Sequence, residues 1–166
     1  MKYNKKKFIY LISPSKINSA FYKNLHKVLS SKKVSFFQLR LKKESFKKKY
    51  AIGKKVKKIC KKFNVKFLIN DDVSLTKKLN ADGCHLGQKD MNIFEARKII
   101  GNKLIGITCH NSIKLANRAV INNADYIALG AFNFSKTKKV KHKATINLLK
   151  KVRKITKTQI VAIGGI

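Results

Sequence analysis

Seven short apolar runs recur along the chain, "FIYLIS", "VSFFQLR", "VKFLIN", "GCHLG", "KLIGIT", "YIALG" and "QIVAIGG", and each is followed by a turn. Continuous apolar runs of this length predict strands buried on both faces, as in a parallel sheet covered by helices. Between them apolar residues return at helical spacing. Phe21, Leu25, Val28 and Leu29 share one face; so do Ile52, Val56, Ile59, Cys60 and Phe63; so do Ile93, Ala96, Ile99 and Ile100; so do Leu115, Ala116, Ala119 and Val120. Strand and helix alternate throughout, with a single proline, Pro14, and no low-complexity linker, so residues 1–166 read as one domain.

Strict alternation leaves two architectures, an open doubly wound sheet and a closed (β/α) barrel. The polar residues choose between them. Asn70, Asp71, His85, Gln88, Asp90, Thr108 and His110 all stand at or just after the ends of successive apolar runs. A barrel gathers such ends at one mouth, whereas an open sheet spreads them along an edge. The expected fold class is therefore α/β, a (β/α)8 TIM-type barrel, with about seven strands present. A full barrel takes eight units and roughly 200 residues or more, so the chain reads as C-terminally incomplete.

Composition sharpens this picture in one respect. With 40 Lys and Arg against 7 Asp and Glu, the formal net charge is +33, which by itself suggests a nucleic-acid partner. Yet only Arg40, Arg97, Arg118 and Arg153 are arginines; the remaining basic residues are lysines spread over nearly every expected helix. Arginine is the better fork for base edges and phosphates, so the charge reads as solvated surface, with no specific nucleic-acid partner. The three cysteines, Cys60, Cys84 and Cys109, form no C-x-x-C pair, as suits a reducing compartment. "FIYLI" is too short for a signal peptide's apolar region, and no run approaches the roughly 18 apolar residues of a membrane helix. A cytoplasmic protein without a membrane partner is expected.

Against this basic background, four of the seven acidic residues fall between Phe67 and Asp90. "NDD" follows the third run and "GQKD" the fourth. Hard oxygen ligands on neighbouring strand ends suit Mg²⁺, which takes one or two carboxylates and completes its shell with water and substrate phosphates. Helix capping is the competing reading for each acid alone, and Asp72 is the one best placed for it. "QLRLK" follows the second run and places Arg40 and Lys42 on the same side, since alternate residues of an extended chain share a face; with Gln38 they make a donor-rich patch suited to a polyphosphate. "GITCH" offers the Thr108 hydroxyl. "GAFNFSKTKK" sets Ser135, Thr137 and Lys138 in a glycine-containing loop, and "IGG" offers unobstructed backbone N–H groups; both suit a phosphate. Zinc on Cys84, His85, Cys109 and His110 is disfavoured, because sequential neighbours on a strand point to opposite faces.

Taken in order, "QLRLK", "NDD", "ADGCHLGQKD", "GITCH", "GAFNFSKTKK" and "VAIGGI" resemble the thiamine-phosphate synthase family, from the first strand to the last residue. The resemblance implies a transferase of thiamine biosynthesis that couples hydroxymethylpyrimidine diphosphate to a thiazole phosphate, both small molecules, releasing pyrophosphate. It places Gln38, Arg40, Lys42 and Asn70 on the pyrimidine diphosphate with Thr108 and Lys138 beside them. Asp71 and Asp90 hold Mg²⁺ on this reading. Ser135, Lys136 and Thr137, with the backbone of Gly165, hold the thiazole phosphate. It further implies a dissociative displacement in which no protein nucleophile takes part. Thr108 stands where the family commonly has Ser, Ser135 where it has Thr, Leu41 where an acidic residue is usual and Ala131 where Pro is usual. The alternatives are a thiazole tautomerase-like relative and a catalytically inactive barrel, but a tautomerase has no diphosphate for "QLRLK" and Lys138 to bind.

Overall fold

A computed structural model describes residues 8–133 and 142–166. The chain divides into two compact units, Met1–Leu68 and Ile69–Ile166. Its elements follow the expected alternation: β1 (Ile9–Ile12), α1 (Ser19–Ser30), β2 (Val34–Leu39), α2 (Phe46–Lys62), β3 (Lys66–Asn70), α3 (Val73–Leu79), β4 (Gly83–Leu86), α4 (Ile93–Ile100), β5 (Leu104–His110), α5 (Ile113–Ile121), β6 (Tyr126–Gly130), α6 (Ile146–Ile155) and β7 (Gln159–Ile163).

In the first unit β1 pairs parallel with β2, and in the second β4, β5, β6 and β7 pair parallel in chain order. Parallel strands in sequence order, with a helix between each and the next, define the α/β class of the (β/α) barrel. All seven apolar runs become strands. β5 is longer than its run, because pairing continues past Thr108 through a register shift to His110.

Local chemistry starts every described helix. Asn18, Ser45, Asp72, Asn92, Ser112 and Thr145 each accept a hydrogen bond from the backbone N–H three residues on, satisfying a donor that the helix itself leaves unpaired. The cap of α4 is Asn92, so the Asp90 carboxylate is not used there. Asp72 caps α3, its Oδ1 lying 2.9 Å from the Leu75 nitrogen. Asp72→Ala is expected to cost about 1 kcal/mol, seen as a melting temperature lower by roughly 2–4 °C for a chain of this size.

The predicted apolar faces are largely the buried ones. On α2, Ile52, Val56 and Cys60 are buried; on α4, Ile93, Ala96 and Ile100; on α5, Ala116 and Ala119. On α1 only Leu25 and Leu29 are buried, and Val28 is 44% exposed. Residues three and four apart share a stripe, and the stripe of α1 is centred on the i, i+4 pair, which leaves Val28 at its edge. In the second unit the core is one cluster in which Leu86, Ile105, Ile127 and Leu129 from the strands meet Ala96, Ile100, Ala116 and Val152 from the helices. Gly83, at the start of β4, is required by close packing: a Cβ there would overlap the Leu104 carbonyl.

Candidate active site

In the first unit stand three of the predicted site residues, Gln38, Arg40 and Lys42. β2 ends at Leu39, so the strand alternation expected to carry "QLRLK" along one face stops short, and Lys42 lies in the turn that follows. The cause is Ser13, just past β1. Its N–H donates to the Gln38 carbonyl at 2.9 Å, and its hydroxyl accepts from the Arg40 N–H at 2.9 Å, replacing the ladder bond that would extend the strand. Gln38 is buried, with its amide nitrogen 3.1 Å from the Tyr10 hydroxyl. Arg40 is half-buried and Lys42 exposed.

In the second unit both predicted metal ligands are tied to the exit of β4. Asp71 adopts a left-handed backbone (φ 63), a conformation Asp tolerates far better than most residues, and its N–H donates to the His85 carbonyl at 2.8 Å. Asp90 turns back so that Oδ2 accepts from the Gly87 N–H at 2.6 Å. A Cβ on Gly87 would come within 2.9 Å of that carboxylate oxygen. The two carboxylate-bearing loops are thus anchored two residues apart on one segment. Asn70 closes β3 beside Asp71, half-buried.

Next to these carboxylates lies a polar row that the sequence reading did not assign. Across the parallel ladder His85 of β4 pairs with Gly106 of β5, and Gly106 with Tyr126 of β6. Having no side chain, Gly106 lets the Tyr126 ring lie over its backbone and stack on His85, with centroids 5.6 Å apart and planes at 26°. His85 Nδ1 is 3.0 Å from the Tyr126 hydroxyl, and Nε2 is 2.8 Å from Thr108 Oγ1. Burial holds the His85 pKa down at about 4, against a weaker opposing pull from Asp71, so the ring is neutral at pH 7. Gln88 fixes the same strand end, its amide nitrogen 2.5 Å from the Thr108 carbonyl and its Oε1 accepting from Arg118 at 2.6 Å. A glycine inside an otherwise apolar strand run was the available signal for this row, since it marks a close approach.

Cys84 and His85 do point to opposite faces of β4. Cys84 lies in the apolar cluster with Cys109, and burial pushes both thiols up to about 12. No group of three or more His, Cys, Asp or Glu with metal-site geometry occurs among the described residues. Native protein at pH 8 is expected to take up no iodoacetamide at Cys84 or Cys109, while the unfolded chain reacts at both, as peptide mass mapping would show.

After β7, Gly164 and Gly165 both have positive φ (90 and 72), and the turn they form is braced on the exit of β6. The Asn133 N–H donates to the Gly164 carbonyl at 2.9 Å, and its side-chain amide to the Gly165 carbonyl at 3.0 Å. Ser135, Lys136, Thr137 and Lys138 lie outside the described residues. His110, also in a left-handed conformation (φ 51), faces the His142 ring at 4.6 Å.

Parallel strands in chain order alternating with helices, with carboxylates in the loops that follow β3 and β4, define the class: a (β/α) barrel. The chain belongs to the thiamine monophosphate synthase family, whose characteristic pattern matches residues 9–166. It is 64% identical over 169 residues to the thiamine-phosphate synthase of Pelagibacter ubique, covering 100% of this chain and 82% of that protein. It is 41% identical to the thiamine-phosphate synthase of Fusobacterium nucleatum, over 95% of this chain and 77% of the relative. Among solved structures, thiamine phosphate pyrophosphorylase from Pyrococcus furiosus superposes with a TM-score of 0.84 at 27% identity, over 96% of this chain and 75% of the other. The activity is accordingly that of a thiamine-phosphate synthase, a transferase of thiamine biosynthesis. No helix among the described residues is long and apolar enough to cross a membrane.

Proposed function

We propose that residues 1–166 work as one cytoplasmic domain that joins hydroxymethylpyrimidine diphosphate to a thiazole phosphate by a dissociative, Mg²⁺-assisted displacement. The observation that carries this reading is the anchoring of Asp71 and Asp90 to one segment, through the His85 carbonyl and the Gly87 N–H. Two carboxylates and a neighbouring asparagine form an all-oxygen donor set that fits Mg²⁺ and not a thiolate-seeking metal. When bound, the ion would neutralise charge on the departing pyrophosphate.

The rest of the work falls to the chain's own groups. Gln38, Arg40, Lys42 and Asn70 are assigned to the diphosphate. Thr108 and Lys138 are assigned beside it. Ser135, Lys136 and Thr137, with the Gly165 backbone, are assigned to the thiazole phosphate. The bond between the pyrimidine methylene and the diphosphate oxygen breaks with its electron pair leaving on oxygen. The electron-rich pyrimidine stabilises the cation, and the thiazole nitrogen then donates its lone pair to the methylene. Catalysis on this route is charge neutralisation and positioning, and it asks for no protein nucleophile. That agrees with buried, protonated Cys84 and Cys109 and with a His85 engaged by two hydroxyls.

The test is a coupling assay with both substrates, following thiamine phosphate and pyrophosphate together. Product is expected with Mg²⁺ and is lost in excess chelator. Undiminished product in chelator would refute the metal assignment, and thiazole isomerisation without coupling would favour the tautomerase-like alternative.

A further inference from the structure

Thr108 is held from two sides. Gln88 donates to its carbonyl, and its hydroxyl oxygen lies 2.8 Å from His85 Nε2. With the backbone pinned and the β-branched side chain restricted at χ1, the remaining freedom is the direction of the hydroxyl hydrogen. That direction follows from the tautomer of His85. A neutral imidazole has one N–H and one lone pair, so the ring gives a hydrogen to one of its two hydroxyl partners and takes one from the other. The partners are unequal. Tyr126 carries a phenol and Thr108 an aliphatic alcohol. The phenol is a stronger hydrogen-bond donor and a weaker acceptor than an aliphatic alcohol, because its oxygen lone pair is delocalised into the ring. The favoured order is therefore Tyr126 O–H to His85 Nδ1, and His85 Nε2–H to Thr108 Oγ1. The Thr108 oxygen then serves as acceptor on the protein side, and its own hydrogen is turned outward. In the opposite order that hydrogen is consumed by His85, and Thr108 offers only lone pairs, which repel an anion.

We propose that Tyr126 and His85 are positioning residues that form a one-way donor relay, setting the Thr108 hydroxyl to donate its hydrogen to the substrate diphosphate. Gly106 belongs to the same device, since any side chain there would occupy the space of the Tyr126 ring. The assignment of Thr108 to the diphosphate rests on the functional reading above, whereas the tautomer does not.

The first measurement is a long-range ¹H–¹⁵N spectrum of the intact protein labelled at its four histidines, with the His85 signals identified by their loss in His85→Gln. At pH 7.5 the expected result is the Nε2–H tautomer, and an Nδ1–H tautomer overturns the proposal. The second is steady-state kinetics of Tyr126→Phe. Losing one neutral hydrogen bond in the relay is expected to raise KM for the pyrimidine diphosphate by roughly 3- to 10-fold. The value of kcat should stay within about 2-fold, since the bond serves ground and transition states alike. Thr108→Val, which removes the hydroxyl, should raise KM at least as far as Tyr126→Phe. A KM unchanged in both Tyr126→Phe and Thr108→Val overturns the relay even if the tautomer is as expected. Should the wild-type protein form no product at all, the functional reading fails, and the spectrum still decides the relay.

Discussion

Asp71→Asn is expected to lower the rate of thiamine phosphate formation by about 10²-fold, comparable to removing one preorganised charge-stabilising group from an active site, while leaving the melting temperature within about 2 °C of wild type. The choice of Asn follows from the backbone. At φ 63, Asp71 occupies the left-handed region, where Ala costs roughly 1–2 kcal/mol and Asn, like Asp, is tolerated. Asn also keeps the N–H that bonds the His85 carbonyl, so the loop is retained and only the charge is removed. Asp71→Ala would mix a functional loss with a folding loss. Asp72→Ala is the matched control one residue away: it removes a helix cap and should lower stability without lowering turnover at 25 °C. If Asp71→Asn keeps more than half of wild-type turnover, Asp71 is not the residue that holds charge against the departing group.

Gly106→Ala is expected to destabilise the chain by about 3 kcal/mol, at the upper end of ordinary overpacking, and to lower the melting temperature by roughly 6–12 °C. The added methyl would lie within the Tyr126 ring, which is itself buried and stacked on His85, so neither ring has free space to yield into. Gly101→Ala provides the comparison. Gly101 also carries a positive φ (58), but nothing lies within 4 Å of the added carbon, so its cost is backbone strain alone. Urea or thermal unfolding of the two variants separates packing from conformation. Equal losses would mean that the Tyr126 ring swings aside and that the His85–Gly106–Tyr126 row is not rigid.

The alternation that defines the fold was open to reading because each strand and helix carries its own signal. β4 and β6 are short runs with every residue buried, β3 buries its central three, and α2 and α5 bury much of the stripes that the 3.6-residue period marks. The caps were partly legible too. Asp72 was recognised as a cap, and Asn92, two residues beyond Asp90, takes the capping role that the sequence left open for Asp90 itself. Less legible were the places where one element borrows from another. β2 was read as running on through Arg40 and Lys42, but it stops at Leu39 because a hydroxyl 27 residues away takes the Arg40 N–H. Val28 looked like a member of the apolar face of α1 and is exposed. Helical period fixes which residues are neighbours, not how wide a stripe the packing covers.

For the proposed site, residue type and position at the ends of successive strands nominate Asn70, Asp71, Asp90 and Thr108, since position after a strand is carried by the local order of the chain. The roles of His85, Tyr126, Gly106, Gln88 and Arg118 were not available that way. Each depends on register between strands or on a contact across 20 residues or more. A chain read one residue at a time holds the periods that build strands and helices. Which hydroxyl meets which ring nitrogen is settled when the strands align, because hydrogen bonds act over about 3 Å and only packing brings distant residues that close.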